Sequence, residues 1–312
     1  MITLSDIEAA QARLDGRIRR TPLIKADNLS TPITTAELYL KLECLQVTGS
    51  FKARGATNRL LATPERDLAN GIVTASGGNH GVAVARTGKL AGVAATVFVP
   101  TNVSPSKVAK LKQWGATVEI IGNVFDDADK AARAYAREIG AVYFHPFADP
   151  LVMAGQGTLA LEILDELPDV DTFLIAIGGG GLIGGMGTAI RALRPQARII
   201  GIEPVGCPTL KASLDAGHVV TIPKITSAVA TMSCARTDER VFERVRAVVD
   251  DVVLVEDQAM IEAARWLWFE LGLAADLSGA AAVSALRDGL VSVTPGEKVC
   301  ALVCGAGPEG LS

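Results

Sequence analysis

Nine short runs of β-branched and other apolar residues recur along the chain, and most are separated by a segment long enough for a helix. They are "LYLKLE" (38–43), "GIVTAS" (71–76), "AATVFVP" (94–100), "ATVEIIG" (116–122), "VYFHP" (142–146), "TFLIAIG" (172–178), "RIIGIEP" (198–204), "VVLVE" (252–256) and "VCALVCG" (299–305). Parallel strands need crossovers of about a dozen residues or more, so this alternation predicts an α/β fold with largely parallel sheets. The intervening segments carry helix signals. "SPSKVAKLKQWG" opens on Ser104 and Pro105 and stops at Gly115, and "FDDADKAARAYAREIG" has acids in its first turn and Gly140 at its end.

The block 70–145 reads as a βαβαβ unit of its own, flanked by segments that suit a second, larger sheet. The expected layout is discontinuous: residues 1–69 and 146–312 form a large domain, and 70–145 a smaller one inserted in it. Both domains are expected to be open twisted parallel sheets with helices on both faces. With aromatics at 4% and 49% of residues apolar, the interior must be built from Ala, Val, Leu and Ile. The 34 acidic and 30 basic residues leave no electrostatic footprint for nucleic acid or an anionic membrane, which points to a small-molecule ligand. The N-terminus has neither a basic nor an apolar leader region, and no run of about 18 apolar residues occurs, so a soluble cytoplasmic protein is expected. Five cysteines, none in a C-x-x-C pair or beside one of the three histidines, argue against disulfide frameworks and zinc sites.

Three glycine-rich turns follow predicted strands, where open parallel sheets bind their ligands. "SGGNHG" (Ser76, Gly77, Gly78, Asn79, His80, Gly81) precedes a helix and offers backbone N–H groups to a carboxylate or phosphate; a plain turn with Asn79 as N-cap is the alternative. "GGGGLIGG" (178–185) leaves the backbone free to wrap a phosphate at a helix start. The same stretch satisfies a dinucleotide fingerprint at Gly179, Gly181 and Gly184, with Glu203 ending the next strand, so a nicotinamide oxidoreductase is a competing reading. "VCGAGPEG" places Cys304 at a strand tip, either packed or weakly hydrogen-bonding.

Lys52 in "TGSFKARGA" is the unusual cation. Thr48-Gly49-Ser50 reads as a helix start, which puts Lys52 in a first turn, at the positive end of a helix dipole. With Arg54 close by and Phe51 limiting water, its pKa is expected to fall below about 10.4. A neutral amine beside a phosphate loop suits a Schiff base with pyridoxal phosphate (PLP).

"RTPL" (20–23), "KLECLQVTGSFKARGA" (41–56), "SGGNHG", "AGQGT" (154–158), "GGGGLIGG" and "GIEP" (201–204) follow one another nearly end to end. In this order the chain resembles fold-type II PLP enzymes of the serine/threonine dehydratase and serine racemase family. The resemblance implies that Lys52 carries the cofactor and is the catalytic base, that Phe51 packs by the pyridine ring and that Asn79 bonds the 3-oxygen. It likewise implies that Gly178, Gly179, Gly180, Gly181 and Leu182 cradle the phosphate, that Cys304 faces the pyridine nitrogen, and that Ser76, Gly77, Asn79 and His80 hold the substrate carboxylate. The implied reaction is β-elimination of water from a 3-hydroxy amino acid such as L-threonine or L-serine, the cofactor phosphate serving as acid toward the leaving hydroxyl. A homodimer is implied on the same ground.

Departures from the family pattern narrow this. Gly77 stands where serine racemases carry a proton-donating serine, which disfavours racemisation. Glu203 is retained from the metal-binding variants, but Thr209 replaces a second acid, so the resemblance does not support a divalent cation. "KITSAVAT" (224–231) looks closer to animal-type serine dehydratases, and an end at Ser312 leaves no expected isoleucine-sensing domain. The alternatives are a serine racemase, a cysteine synthase-like β-replacement enzyme, a 3-hydroxyaspartate-type dehydratase, or a PLP-binding protein that does not catalyse.

Overall fold

The structure is a computed structural model describing residues 2–311. Its ten strands are β1 (Leu23–Lys25), β2 (Glu37–Lys41), β3 (Ile72–Ala75), β4 (Ala95–Val99), β5 (Thr117–Ile120), β6 (Val142–Tyr143), β7 (Thr172–Ala176), β8 (Arg198–Pro204), β9 (Asp251–Val255) and β10 (Lys298–Leu302). The nine expected runs all contain a strand. The sequence reading missed β1, a three-residue edge strand too short to show a period of two.

Two sheets result, with orders β1-β2-β10-β7-β8-β9 and β5-β4-β3-β6. All neighbours pair in parallel except β1 with β2. In the larger sheet the chain steps outward from β7 through β8 to β9, and β10 returns to the other side of β7. The smaller sheet repeats the device: β3, β4 and β5 step one way and β6 returns beside β3. Each sheet therefore has a topological switch point, and open parallel sheets receive ligands there, beyond the carboxyl ends of their strands. The loops leaving these four strands are 76–78, 144–149, 177–180 and 303–307.

The core is aliphatic. Leu38, Leu40, Leu174, Ile175, Ile183, Ile199, Ile202 and Ala280–Ala282 are among the residues packed in the main cluster. Around the smaller sheet, Ile72, Ala83, Val84 and Phe144 pack with Ala56 and Leu60 on one side, and Val73, Ala75 and Phe98 meet Ala128, Ala132 and Ala136 on the other. Ala56 and Leu60 belong to the helix Lys52–Leu61, so this helix is held against the smaller sheet.

Local signals act as their chemistry requires. Ser104 accepts from Lys107 N at the start of Pro105–Gln113, and Gly140 takes a left-handed φ of 69° after Phe125–Ile139. Two expected helix starts are displaced. Residues 48–50 do not begin a helix: Val47–Gly49 is a short 3-10 turn with Thr48 at φ 67°, Ser50 is extended, and the helix opens at Lys52. The cause is docking onto the last turn of the chain. Phe51 N donates to Cys304 O (3.2 Å), Ala306 N to Gly49 O (2.8 Å), and Ser50 bridges Gly305, which holds Ser50 extended and delays the helix to residue 52. Likewise Gly78, not Asn79, takes the N-cap position of the helix Asn79–Ala91, because the Asn79 amide is engaged elsewhere.

Candidate active site

Lys52 sits at the first position of its helix with no carboxylate partner among the described residues. Its Nζ donates to the Pro146 carbonyl (2.8 Å) and lies 5.0 Å from the centre of the Phe51 ring. Burial penalises the charged form and pulls its pKa down to about 8. The expected lowering is there, but Arg54 is not its cause. The Arg54 guanidinium turns into the interior, where it donates to both oxygens of Glu43 (2.8 and 2.7 Å), both of Glu162 (2.6 and 3.0 Å) and Thr158 Oγ1. Burial opposes its charge, and the Glu43 and Glu162 carboxylates more than offset this. Lys41 completes the buried group, donating to Thr21 O and pairing with Glu162 (2.8 Å). Arg54 thus anchors the turn that carries Lys52.

The glycine loop lies beside it. Every Cβ direction is taken: a side-chain atom on Gly179 would meet the Phe147 ring at 2.3–2.5 Å, and one on Gly181 the Phe147 backbone at 2.6 Å. Gly180 has φ 88°, a conformation costly for any other residue. The Gly179 carbonyl accepts from Thr237 Oγ1 (2.9 Å), which turns the Gly180 N–H the opposite way. No backbone N–H of Gly178, Gly179, Gly180, Gly181 or Leu182 donates to a protein acceptor among the described residues. A row of free N–H groups at the start of the helix Gly181–Leu193 is a ready anion cradle.

The loop of Ser76, Gly77 and Gly78 opens the helix Asn79–Ala91. Ser76 Oγ accepts from Gly78 N (3.2 Å). His80 is buried with Nε2 at 3.2 Å from Phe144 O; since a carbonyl only accepts, Nε2 carries the proton. Burial, and then the Lys52 charge, push its pKa down to about 3, so it is a neutral ring. His145 is similarly held at about 4, first by burial. Asn79 Nδ2 donates to Asp276 Oδ2 (3.1 Å).

Cys304, in the loop that leaves β10, is a buried thiol. Burial, reinforced by Asp276, raises its pKa, so it stays protonated, and its Sγ lies 3.7 Å from Ser278 Oγ. The structure therefore brings Lys52, Phe51, the 178–182 loop, Asn79, His80 and Cys304 to the two switch points. Sequence reasoning left 144–150 without a role and missed Asp276 and Thr237. Pro146 and Phe147 lie on Lys52 and the glycine loop. For Asp276 the local signal was an acid before "LSGAAAV", a helix start, with nothing to show how far its side chain reaches.

A family model described as "Pyridoxal-phosphate dependent enzyme" matches residues 14–305. The chain belongs to this family. The L-threonine ammonia-lyase of Geobacter sulfurreducens is 42% identical over 302 residues, 97% of this chain and 75% of that protein. The maize serine racemase structure superposes with a TM-score of 0.92 at 32% identity, covering 97% of this chain and 93% of that one. The processed form of threonine deaminase isoform 2 from Solanum lycopersicum gives 0.91 at 31%, covering 97% of this chain and 88% of that one. Within the PLP enzymes the chain is thus of fold type II, in the threonine/serine dehydratase and serine racemase group.

The residues present fit PLP: an amine of depressed pKa held only by a backbone carbonyl among the described residues, a cradle of free N–H groups in which glycines are sterically required, and a neutral thiol. Glu203 is engaged at a helix start. Both its oxygens accept backbone N–H groups, from Leu210 (2.9 Å) and Lys211 (2.8 Å), at the start of the helix Thr209–Ala216, and the Thr209 hydroxyl donates to the Cys234 carbonyl. Burial raises the Glu203 pKa to about 7. The same contacts remove Glu203 from any role on a ribose, so the dinucleotide fingerprint describes a different phosphate loop.

Proposed function

We propose that this PLP enzyme is a dehydratase that eliminates water from a 3-hydroxy amino acid, L-threonine or L-serine in the first instance, to give a 2-oxo acid and ammonia. PLP, when bound, supplies the aldehyde and the electron sink. The Lys52 amine would hold the cofactor and would take the substrate's α-proton; a pKa near 8 keeps a useful neutral fraction at physiological pH. Gly178–Leu182 hold the phosphate through their N–H groups. Phe51 would pack beside the ring, Asn79 would bond the 3-oxygen and the neutral Cys304 thiol would face the ring nitrogen without supplying a charge there. Ser76, Gly77, Asn79 and His80 hold the substrate carboxylate at the start of their helix.

The observation that carries elimination over racemisation is the pairing of Lys52 with Gly77. One base serves one face of the α-carbon, and the position that bears an acid in serine racemases has no proton to give. The protein is proposed to work without a divalent cation, as a cytoplasmic homodimer. Its two sheets are proposed to belong to a large domain (1–69 and 146–312) and a small one (70–145).

Purified protein supplied with PLP is expected to develop an absorbance band that borohydride fixes and that Lys52→Ala lacks. It is then expected to release 2-oxo acid and ammonia from at least one member of a panel of L- and D-serine, L- and D-threonine and 3-hydroxyaspartate. A protein that inverts serine without releasing 2-oxo acid from any member would overturn the dehydratase reading in favour of the racemase.

A further inference from the structure

Asp276 is buried between the two sheets, and each of its oxygens serves a different side of the site. Oδ1 accepts from Ser278 Oγ (2.6 Å) and Gly279 N (2.7 Å), and the backbone N donates to Gly305 O (3.0 Å). Oδ2 accepts from Asn79 Nδ2 (3.1 Å), across the gap to the smaller sheet. Ser278 Oγ in turn faces Cys304 Sγ at 3.7 Å. The neighbouring chain is shaped around this carboxylate: a Cβ on Gly305 would stand 2.5 Å from Oδ2, and one on Gly307 would stand 2.7 Å from the Asp276 Cβ.

We propose that Asp276 is the positioning residue that fixes the hydrogen-bond polarity of both polar groups assigned to the cofactor ring, Asn79 directly and Cys304 through Ser278. A carboxylate accepts and never donates. Asn79 must therefore turn its Nδ2 toward Asp276, which leaves the second N–H as a donor for the 3-oxygen of PLP. The Ser278 proton is spent on Asp276, so Ser278 can only accept from Cys304 and holds the thiol from behind. Neither Asn79 nor Cys304 is then free to rotate into a competing state. The inference rests on the proposed PLP contacts of Asn79 and Cys304.

Asp276→Asn separates this role from helix capping. Asn and Asp cap helices equally well, so the bond from Gly279 N survives. The amide, however, presents a donor to Asn79, which flips and offers an acceptor where the 3-oxygen needs a donor. Apoprotein is titrated with PLP, with cofactor absorbance followed against pH and melting followed in parallel. Asp276→Asn is expected to melt within about 2 °C of wild type yet bind PLP roughly ten- to a hundredfold more weakly, the worth of a charge-assisted hydrogen bond. It is also expected to shift the pH dependence of the band. In an Asn79→Ala/Ser278→Ala background the same change is expected to add less than about twofold, since its targets are gone. Ser278→Ala alone leaves the cap intact and is expected to shift the band, which covers the case of a poorly folded Asp276→Asn. Equal PLP affinity and an unchanged band in Asp276→Asn, or the full effect in the doubly substituted background, overturns the inference alone. Failure of the wild-type protein to take up PLP overturns the reading of the site and this inference together.

Discussion

Removing the Arg54 side chain tests the claim that the Lys52 turn is anchored from the interior. Arg54→Met keeps the length and deletes the charge. Glu162 retains Lys41 at 2.8 Å, but Glu43, fully buried, is left with the Thr21 hydroxyl (2.6 Å) and a long contact from Gln46 (3.5 Å). Stripping one partner from a buried ion pair costs about 3–5 kcal/mol, because the other charge is stranded. Unfolding entropy of about 2.1 cal/mol/K per residue converts that into a fall in Tm of roughly 5–8 °C for a chain of this size. The stranded charge predicts its own remedy. Arg54→Met/Glu43→Gln is expected to recover at least half of the loss, since replacing both partners by neutral groups is far cheaper than removing one. Thermal melts of the apoproteins at about pH 7.5 measure this. A single variant within about 2 °C of wild type, or a double variant no better than the single, would refute the anchoring argument.

Lys52→Met removes a cation that burial destabilises: its depressed pKa of about 8 means the folded state binds fewer protons than the unfolded state between pH 8 and 10.5, so wild-type apoprotein gains stability as pH rises through that window. The variant is expected to be more stable by about 3 kcal/mol below pH 8, with the gap closing toward pH 10.5 in denaturant titrations. Gly179→Ala drives a Cβ into the Phe147 ring and is expected to weaken PLP binding at least tenfold in the same kind of titration, with Phe147→Ala in the same chain restoring much of it. Gly77→Ser places a Cβ 2.7 Å from Val103 Cγ2 and is expected to cost about 1–3 kcal/mol of stability, which Val103→Ala relieves; no relief would show that the glycine is not held there by packing.

What could be read in the sequence was set by local rules. β3, β4, β7, β8 and β10 were visible because each is a buried apolar run bounded by turn residues, β5 and β9 because β-branched residues stand between turn signals although β5 is largely exposed, and the glycine loops because they directly follow such strands. Lys52 was legible as a cation at a helix start, but the reason assigned to its low pKa was half wrong. Arg54, two residues away in sequence, is not a neighbouring charge, because on a helix residues two apart face different directions. It is paired instead with Glu43 and Glu162, the latter 108 residues distant. Asp276 was invisible as a site residue for a related reason: its contact with Asn79 spans 197 residues, and no pattern in either segment points to the other. Thr48–Ser50 misled because Thr, Gly and Ser are good helix starters, and the competing strand-like pairing with 304–306 comes from the far end of the chain.

The ionisable groups around Lys52 bear on the choice between elimination and racemisation. His80 is held at about 3 and His145 at about 4, both first by burial and both further by the Lys52 charge. Cys234 is pushed up to about 12 by burial, and Cys304 is raised as well. Around neutral pH these four are each locked in one protonation state, and of the five groups only Lys52 changes charge. Inversion at the α-carbon asks for a second group that can lose and regain a proton on the opposite face. Gly77, at the position where the serine racemases carry that group, has no side chain to do it with. The Lys52 amine with no side chain at position 77 suits the proposed elimination, so PLP-loaded protein is expected to release 2-oxo acid from L-serine faster than it inverts it, and the reverse order would overturn that choice.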